Sequence, residues 1–289
     1  MQRRTSTALS RELGDALARA RRDAGITATS MAEVLGWSEA KISKLEHGTR
    51  RTGDFDIGRM TGHCGVDDAT FQRIAALAAE QERGCVVRPH AVGMPDSLRC
   101  LILHERTADA IRSYEPMVVP GLLQTREYAR AVHGPHARES SVQLRMDRQT
   151  ILHGPSGPDS EFFIHEAALR CPVGGPQVMY EQMVSLAMSS NSARLRLRVV
   201  PFSAGNDPVL WASFAHMSYL EHPAVTYAET GPVSLFLETP EATRAYEQSL
   251  AVLARLALGR EESQSVFVQW ADRYDRLRED RDAGGHEVA

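Results

Sequence analysis

The 289-residue sequence lacks several features that would assign it to a particular class of protein. It has four scattered cysteines and no C-x-x-C pair, so neither a disulfide framework nor a closely spaced zinc site is indicated. No apolar run approaches the roughly 18 residues that cross a bilayer, and the N-terminus has no signal-peptide core. The sequence therefore predicts a cytoplasmic chain with no membrane partner, no metal site and no cofactor. The four cysteines are Cys64, Cys85, Cys100 and Cys171.

Motifs that carry enzymatic chemistry are also missing. The sequence contains no H-E-x-x-H, G-x-S-x-G, phosphate-binding loop or G-x-G-x-x-G. Glu161, Glu166 and the pair His104-Glu105 are the groups that acid–base chemistry could use. His165, at the end of an apolar strand, is more typical of a packed edge residue than of a catalyst. We therefore expect no catalytic residues, and an enzyme with an accessory binding head is the disfavoured class.

The charge that is present is unevenly distributed. Residues 1–65 hold 11 of the 33 Lys and Arg residues but 8 of the 37 Asp and Glu residues, a net charge of +3. The remainder carries −7, which gives the total of −4. A basic head on an acidic body suits a protein that contacts a polyanion at one end only.

Apolar periodicity predicts five helices that form an all-α bundle over residues 1–83. Glycines and capping residues define the ends of these helices. The expected segments are residues 8–24, a short helix ending at Gly36, a third helix from Ser38 to Gly48, Phe55–Cys64 and Asp68–Arg83.

The rest of the chain predicts an α+β domain over residues 98–282, after a linker at residues 84–97. Prolines and glycines interrupt the linker. A helix is expected over Leu98–Tyr114, further helices close the chain, and the tail at 283–289 is expected to be disordered. Five strand-like runs are expected at Glu161–Ile164, Leu195–Pro201, Phe214–Glu221, Ala224–Glu229 and Val233–Leu237.

The second and third helices have the spacing of a helix-turn-helix. Gly36 permits a left-handed turn between the two helices, and Ser38 caps the helix that follows. Ile42 and Leu45 would anchor that third helix to the bundle. Its outward face would then be free to enter a major groove of double-stranded DNA.

Residues 25–48 resemble the helix-turn-helix of the phage-repressor (XRE-like) type over about 24 consecutive positions. The resemblance implies that Glu46, at the end of the recognition helix, pairs with Arg21 late in the first helix. We predict that this pair is structural and holds the recognition helix in place.

The same region supplies the predicted DNA contacts. Basic side chains are expected on phosphates, while small and acidic ones meet base edges: Glu39 would accept from a cytosine amino group and Ala40 would pack on a thymine methyl. Replacing Lys44 should then weaken all sequences alike, whereas replacing Glu39 should change sequence preference. The full predicted set is Thr29, Ser30, Glu39, Ala40, Lys41, Ser43, Lys44, Arg50 and Arg51.

Beyond the head, the chain resembles a large actinobacterial group of regulators with a C-terminal domain of unknown function. The resemblance begins at Leu35-Gly-Trp-Ser38 and is strongest in Tyr114–Ala129, whose "VPGLLQT…YA" is close to a signature. It implies a regulator encoded beside a small companion protein in an antitoxin-like pair. The C-terminal domain would bind that companion and mediate dimerisation.

Two further expectations concern partners. A homodimer is expected because one recognition helix reads only a few base pairs, and specificity usually needs two half-sites. The alternative to a protein effector is a small molecule bound in the C-terminal domain, by analogy of architecture. The conceivable pocket lining is Met117, Leu122, Leu123, Phe214 and Met217.

Overall fold

A computed structural model describes residues 6–80, 85–89, 96–134, 138–154, 157–190 and 193–284. It confirms the predicted fold class, an all-α N-terminal bundle followed by an α+β domain. In the part of the chain that it describes, no helix is both long and apolar enough to cross a membrane. The same residues include no group of three His, Cys, Asp or Glu side chains arranged to hold a metal ion.

The N-terminal bundle is built around its first helix. Thr7 caps this helix by accepting a hydrogen bond from the Ser10 amide at 3.1 Å. Leu9, Leu13 and Leu17 lie one turn apart on its buried face and pack against the other helices. The five helices are α1 (Ala8–Asp23), α2 (Ala28–Leu35), α3 (Glu39–Glu46), α4 (Asp54–Cys64) and α5 (Asp68–Glu80).

The C-terminal domain is built on a mixed seven-stranded sheet. Its strands are β1 (Cys85–Pro89), β2 (Ala110–Glu115), β3 (Asp159–His165), β4 (Leu195–Val200), β5 (Phe214–Ser218), β6 (Val225–Glu229) and β7 (Val233–Leu237). Their order across the sheet is β1-β7-β6-β5-β2-β3-β4. The strand pairs β2–β3 and β3–β4 are parallel, and the other neighbouring pairs are antiparallel.

Helices cover both faces of this sheet. On one face α11 packs over a small cluster that includes Tyr114, Phe163 and Leu253. On the other face the main core includes Phe162, from β3, and Phe267. The helices of this domain are α6 (Asp96–Thr107), α7 (Arg126–Val132), α8 (Glu139–Gln149), α9 (Glu166–Arg170), α10 (Pro176–Ser189), α11 (Pro240–Leu256) and α12 (Arg260–Gly284).

The predicted linker at residues 84–97 is wrong in part. Cys85–Pro89 forms β1, which pairs antiparallel with β7 and buries Val86 against Phe236. Asp96 and Ser97 already belong to α6. Residues 84 and 90–95 lie outside the described part of the chain, so only the ends of the predicted linker are corrected.

Two other boundaries differ from expectation. The helix predicted over Leu98–Tyr114 ends at Thr107, and Ala110–Glu115 forms β2 at the centre of the sheet. The chain turns at Asp109, whose carboxylate accepts from the Leu220 amide at 2.7 Å. At the C-terminus α12 continues to Gly284, two residues into the predicted tail, and residues 285–289 lie outside the described part.

The bundle and the sheet domain are joined through the start of α1. Glu238, which follows β7, accepts a hydrogen bond from the Ala8 amide at 2.7 Å. Arg11 Nη2 lies 3.8 Å from the same carboxylate, and Glu12 pairs with Arg88 of β1 at 2.6 Å. Buried apolar residues of the head and the body belong to one contiguous core. The recognition head is therefore packed onto the body through buried ion pairs as well as through the chain itself.

Candidate nucleic-acid interface

The turn between α2 and α3 has the predicted geometry. Gly36 adopts φ +65°, the left-handed conformation that glycine reaches without steric cost. The Trp37 amide donates back to the Ala32 carbonyl at 2.8 Å, which closes the end of α2. Ser38 Oγ then accepts from the Lys41 amide at 3.2 Å and begins α3. Both structural residues of the turn, Gly36 and Ser38, are confirmed.

The recognition helix is held from its inner side. Ile42 and Leu45 are fully buried in the bundle. Arg21 makes the predicted pair with Glu46 as a two-point contact, with Nε and Nη2 at 2.7 and 2.9 Å from the carboxylate oxygens. Arg21 also donates to the Ile26 carbonyl at 2.7 Å. The hydrogen bonds that Arg21 donates to Glu46 raise the pKa of Arg21, so the pair favours the charged guanidinium.

The outer side of α3 is exposed to solvent. Glu39, Ala40, Ser43 and Lys44 are all exposed on it, as the predicted base-reading and phosphate-contacting roles require. Within the described ranges, the Lys44 ammonium has no ion pair. The individual DNA contacts of these side chains stay predictions, because the structure contains the protein chain alone.

Lys41 occupies a different environment from Lys44. Its ammonium lies 2.8 Å from an oxygen of Asp56 on α4 and 3.4 Å from the ring centre of Trp37. The guanidinium of Arg59 also lies against that ring, at 5.3 Å. A phosphate contact by Lys41 stays a prediction, and it would have to compete with Asp56. Asp56 is not predicted from the sequence, since nothing in the sequence shows which residue of α4 faces α3.

The remaining predicted contacts lie outside α3. Thr29 and Ser30 are exposed in the first turn of α2, where Thr27 caps the helix by accepting from the Ser30 amide at 3.1 Å. Arg50 and Arg51 are exposed in the segment that follows the third helix. These four side chains are exposed at the surface on either side of α3 in the chain.

The side chains of the C-terminal domain that acid–base chemistry could use lie in capping, ion-paired or buried positions. His165 caps α9, since its Nδ1 accepts from the Ala167 amide at 3.1 Å. Glu161 lies among arginines of neighbouring strands, with Arg112 Nε at 3.4 Å. His104 is fully buried, and burial lowers its pKa to about 3, so the ring is neutral.

Two matches to known families agree with this geometry. Residues 12–74, which include α2 and α3, match the description "Helix-turn-helix domain". Residues 98–268, more than half of the chain, match "Domain of unknown function (DUF5753)". The chain therefore belongs to the DUF5753 family, with a helix-turn-helix domain at its N-terminus.

No curated protein matches the chain. Among solved structures, TrmBL2, an archaeal chromatin protein described as showing a novel mode of DNA binding, is similar over 81% of this chain and 87% of its own. The two share 9% sequence identity with a TM-score of 0.33, and a likeness of that size does not bear on the function of this chain.

Proposed function

We propose that this chain is a sequence-specific DNA-binding transcriptional regulator that reads the major groove with α3. The observation that carries the proposal is the combination of a fixed inner side and an exposed outer side of that helix. Arg21–Glu46 and the buried Ile42 and Leu45 fix the helix. Such preorganisation is what an α-helix needs to place side chains against base edges.

The two lysines of the sequence, Lys41 and Lys44, are both on this helix, since all other basic side chains apart from histidines are arginines. Lys44 supplies an exposed positive charge at the surface and would contact a phosphate. Lys41, paired with Asp56, instead ties α3 to α4. Glu39, in the first turn of α3, would accept a hydrogen bond from a cytosine amino group, which is the base-edge donor that suits a carboxylate.

Substitutions of Lys44 and Glu39 should have different effects on DNA binding, because the first should lower affinity and the second should change sequence preference. On duplexes selected from a random pool, Lys44→Gln should weaken binding to every sequence about tenfold, since it removes one charge-assisted phosphate contact. The slope of log affinity against log salt should fall by about 1. Glu39→Gln should instead change the preferred base at one position. Fluorescence anisotropy over a salt series measures both effects.

The matched control for this pair is Arg255→Gln, an exposed charge on α11. It should leave both affinity and salt slope near wild type. Uniform weakening by both α3 variants would contradict the division of roles. Failure of the wild-type chain to bind any selected or genomic duplex at low ionic strength would overturn the proposed function.

The second prediction uses the lysines as chemical reporters. In free protein, an amine-acetylating reagent should modify Lys44 faster than Lys41, because Asp56 and Trp37 hold the Lys41 ammonium. Adding the selected duplex should slow modification of Lys44 in proportion to the fraction of protein bound. Mass spectrometry of the digested chain reports both sites in one sample.

A scrambled duplex at higher salt is the control of this experiment, and Lys41 is followed in the same sample. Asp56→Asn, which removes the partner of Lys41, should raise the reactivity of Lys41 toward that of Lys44. Equal reactivity of Lys44 with and without bound duplex would show that this face of α3 does not contact DNA.

The finer features of the proposal rest on the resemblance and on symmetry. We infer a phage-repressor type of actinobacterial regulator that binds as a homodimer and is controlled by a small companion protein, with no enzymatic activity. Sedimentation velocity of the purified chain tests the dimer directly. A small-molecule effector is the second candidate, and a cavity in the C-terminal domain favours it.

A further inference from the structure

The lysines of this chain are restricted to one helix. Of the 33 Lys and Arg residues in the sequence, only Lys41 and Lys44 are lysines, and both lie on α3. A guanidinium stays protonated, whereas the amine of a lysine can be acylated and then loses its charge. Side chains with an amine that can be acylated are therefore found on the recognition helix and nowhere else in the sequence.

Lys41 has contacts that hold its amine. The ammonium lies 2.8 Å from Oδ1 of Asp56 and 3.4 Å from the ring centre of Trp37. The side chains of Lys41 and Asp56 are 19% and 17% exposed. Acylation would remove the charge on which both contacts depend, and the amine would first have to leave them. The surroundings of Lys41 therefore oppose its modification.

Lys44, three residues further along α3, has a different environment. The residue is exposed, and its ammonium makes no ion pair within the described ranges. A helical lysine usually pairs with a carboxylate three or four residues away, and the residues at that spacing from it are Ala40, Lys41, His47 and Gly48. None of these four carries a carboxylate. The amine of Lys44 is therefore the accessible one of the two.

We propose that Lys44 is an acylation site, at which transfer of an acetyl group turns off DNA binding. The amine of Lys44, after giving one proton to solvent, attacks the carbonyl carbon of an activated acyl donor, either an acyl phosphate or an acyl thioester. The new N–C bond forms as the C–O or C–S bond breaks, and phosphate or thiolate leaves with the electron pair. The nitrogen then gives a second proton to solvent, and the product is a neutral amide.

The modified helix should keep its position and lose one charge. Ile42 and Leu45 anchor α3, and the ion pair of Arg21 with Glu46 fixes its end, so the contacts that hold the helix do not involve Lys44. A neutral amide has no charge to offer a phosphate, so DNA affinity should fall while the helix stays in place. This consequence rests on the proposed function, whereas the modification itself can be measured without DNA.

The cavity in the C-terminal domain is a separate feature. It has a volume of about 60 Å³ and lies beside the centre of the sheet, between β2, α6 and α8. Of the five residues predicted to line a ligand pocket, Leu122 and Phe214 line it, whereas Met117 is 54% exposed and the core buries Leu123 and Met217. Its charged lining residues are Glu105, Glu115, Arg148 and Glu229. Neither lysine lines it, so acylation of α3 and binding in the cavity can be tested separately.

Incubation of the full chain with acetyl phosphate or, in a separate arm, with acetyl coenzyme A tests the site. Peptide mass spectrometry should show acetyl groups accumulating on Lys44 about fivefold faster than on Lys41, the ratio expected if an ion pair withholds the amine of Lys41. The two arms distinguish the sources of the acyl group, and faster reaction of Lys44 with either donor supports the site. Reaction of Lys44 no faster than that of Lys41 in both arms would overturn it.

Fluorescence anisotropy then measures the DNA affinity of the treated chain. With Lys44 fully acetylated, affinity for a selected duplex should fall about tenfold, and the slope of log affinity against log salt should fall by about 1. The circular dichroism spectrum should stay that of the untreated chain. A loss of helical signal that accompanies the loss of affinity would contradict the removal of a single phosphate contact.

Two arginine variants show which lysine is responsible. Lys44→Arg keeps a cation that the acyl donors do not modify, so treatment should leave its affinity at the value measured before treatment. Lys41→Arg retains the amine of Lys44, so treatment should weaken its binding about tenfold, as in wild type. If treatment weakened Lys44→Arg as much as wild type, the assignment to Lys44 would be wrong.

The outcomes separate this inference from the proposed function. An untreated chain that binds no duplex would overturn the regulator and, with it, the switch, even if Lys44 becomes acetylated. A chain that binds selected duplexes equally well with and without the acetyl group would keep its DNA-binding role and lose the switch.

Discussion

Replacing Gly14 with alanine is expected to destabilise the N-terminal bundle by about 3 kcal/mol, although alanine is the better helix former. A Cβ at position 14 would lie 2.7 Å from the carbonyl oxygen of Leu45 and would overlap the carbonyl of Glu46. Both are backbone groups at the end of α3, so no side-chain rotation can relieve the overlap. Helix α3 would have to move away from α1, and DNA affinity should fall with stability. Urea unfolding followed by circular dichroism measures the change.

The matched control is Gly58→Ala, in the exposed middle of α4. No atom lies within 4 Å of a Cβ built there, so helix propensity alone should act. That variant should be more stable than wild type by up to about 1 kcal/mol. If Gly14→Ala were as stable as Gly58→Ala, the close contact between α1 and α3 would be disproved.

The second large effect is expected at the junction between head and body. Glu238→Ala removes the acceptor of the Ala8 amide and the carboxylate beside Arg11. The side chains of Arg11 and Glu238 are 7% and 5% exposed, and burial lowers the pKa of Arg11 while it raises that of Glu238. Burial therefore disfavours the charged form of both side chains. Removing Glu238 leaves the buried charge of Arg11 without this counter-charge. We expect a loss of about 3 kcal/mol in the free energy of unfolding.

Two comparisons test the cause of that loss. Glu241→Ala removes a carboxylate three residues away that is 79% exposed and pairs with a neighbouring arginine of its own helix. It should cost no more than about 0.5 kcal/mol. Combining Glu238→Ala with Arg11→Met should recover part of the stability, because the stranded charge is gone. If Glu238→Ala were as stable as Glu241→Ala, the charges of Arg11 and Glu238 would not be what holds the junction together.

Much of the head could be predicted because its determinants are local. The left-handed Gly36, the cap at Ser38 and the inward Ile42 and Leu45 all act within one or two helical turns, and the structure confirms each of them. The long-range pair of Arg21 with Glu46 was predicted only from the family resemblance. Its geometry depends on the packing of α1 against α3, which periodicity does not show.

The strands that the sequence does not predict form through pairing with strands that are distant in the chain. Cys85–Pro89 has two valines among residues typical of a linker, and it becomes a strand because β7 offers it a free edge about 150 positions away in the chain. Ala110–Glu115 continues the apolar spacing of α6, but its neighbours β3 and β5 convert it to a central strand. The cavity was missed in its character as well. An apolar pocket was expected, whereas residues from four separate segments bring charged groups together there.

The seating of α1 on the sheet domain has a consequence for operator architecture. The contacts of Glu238 with Ala8 and of Arg88 with Glu12 hold the N-terminal bundle on the sheet domain, in addition to the chain connection. The bundle is therefore not free to rotate relative to that domain. In a two-fold assembly, the distance between the two reading helices would then be fixed by the bodies. Such a protein should bind only operators with very few spacings between half-sites. Inserting half a helical turn of DNA between the half-sites should prevent one of the two recognition helices from reaching its major groove.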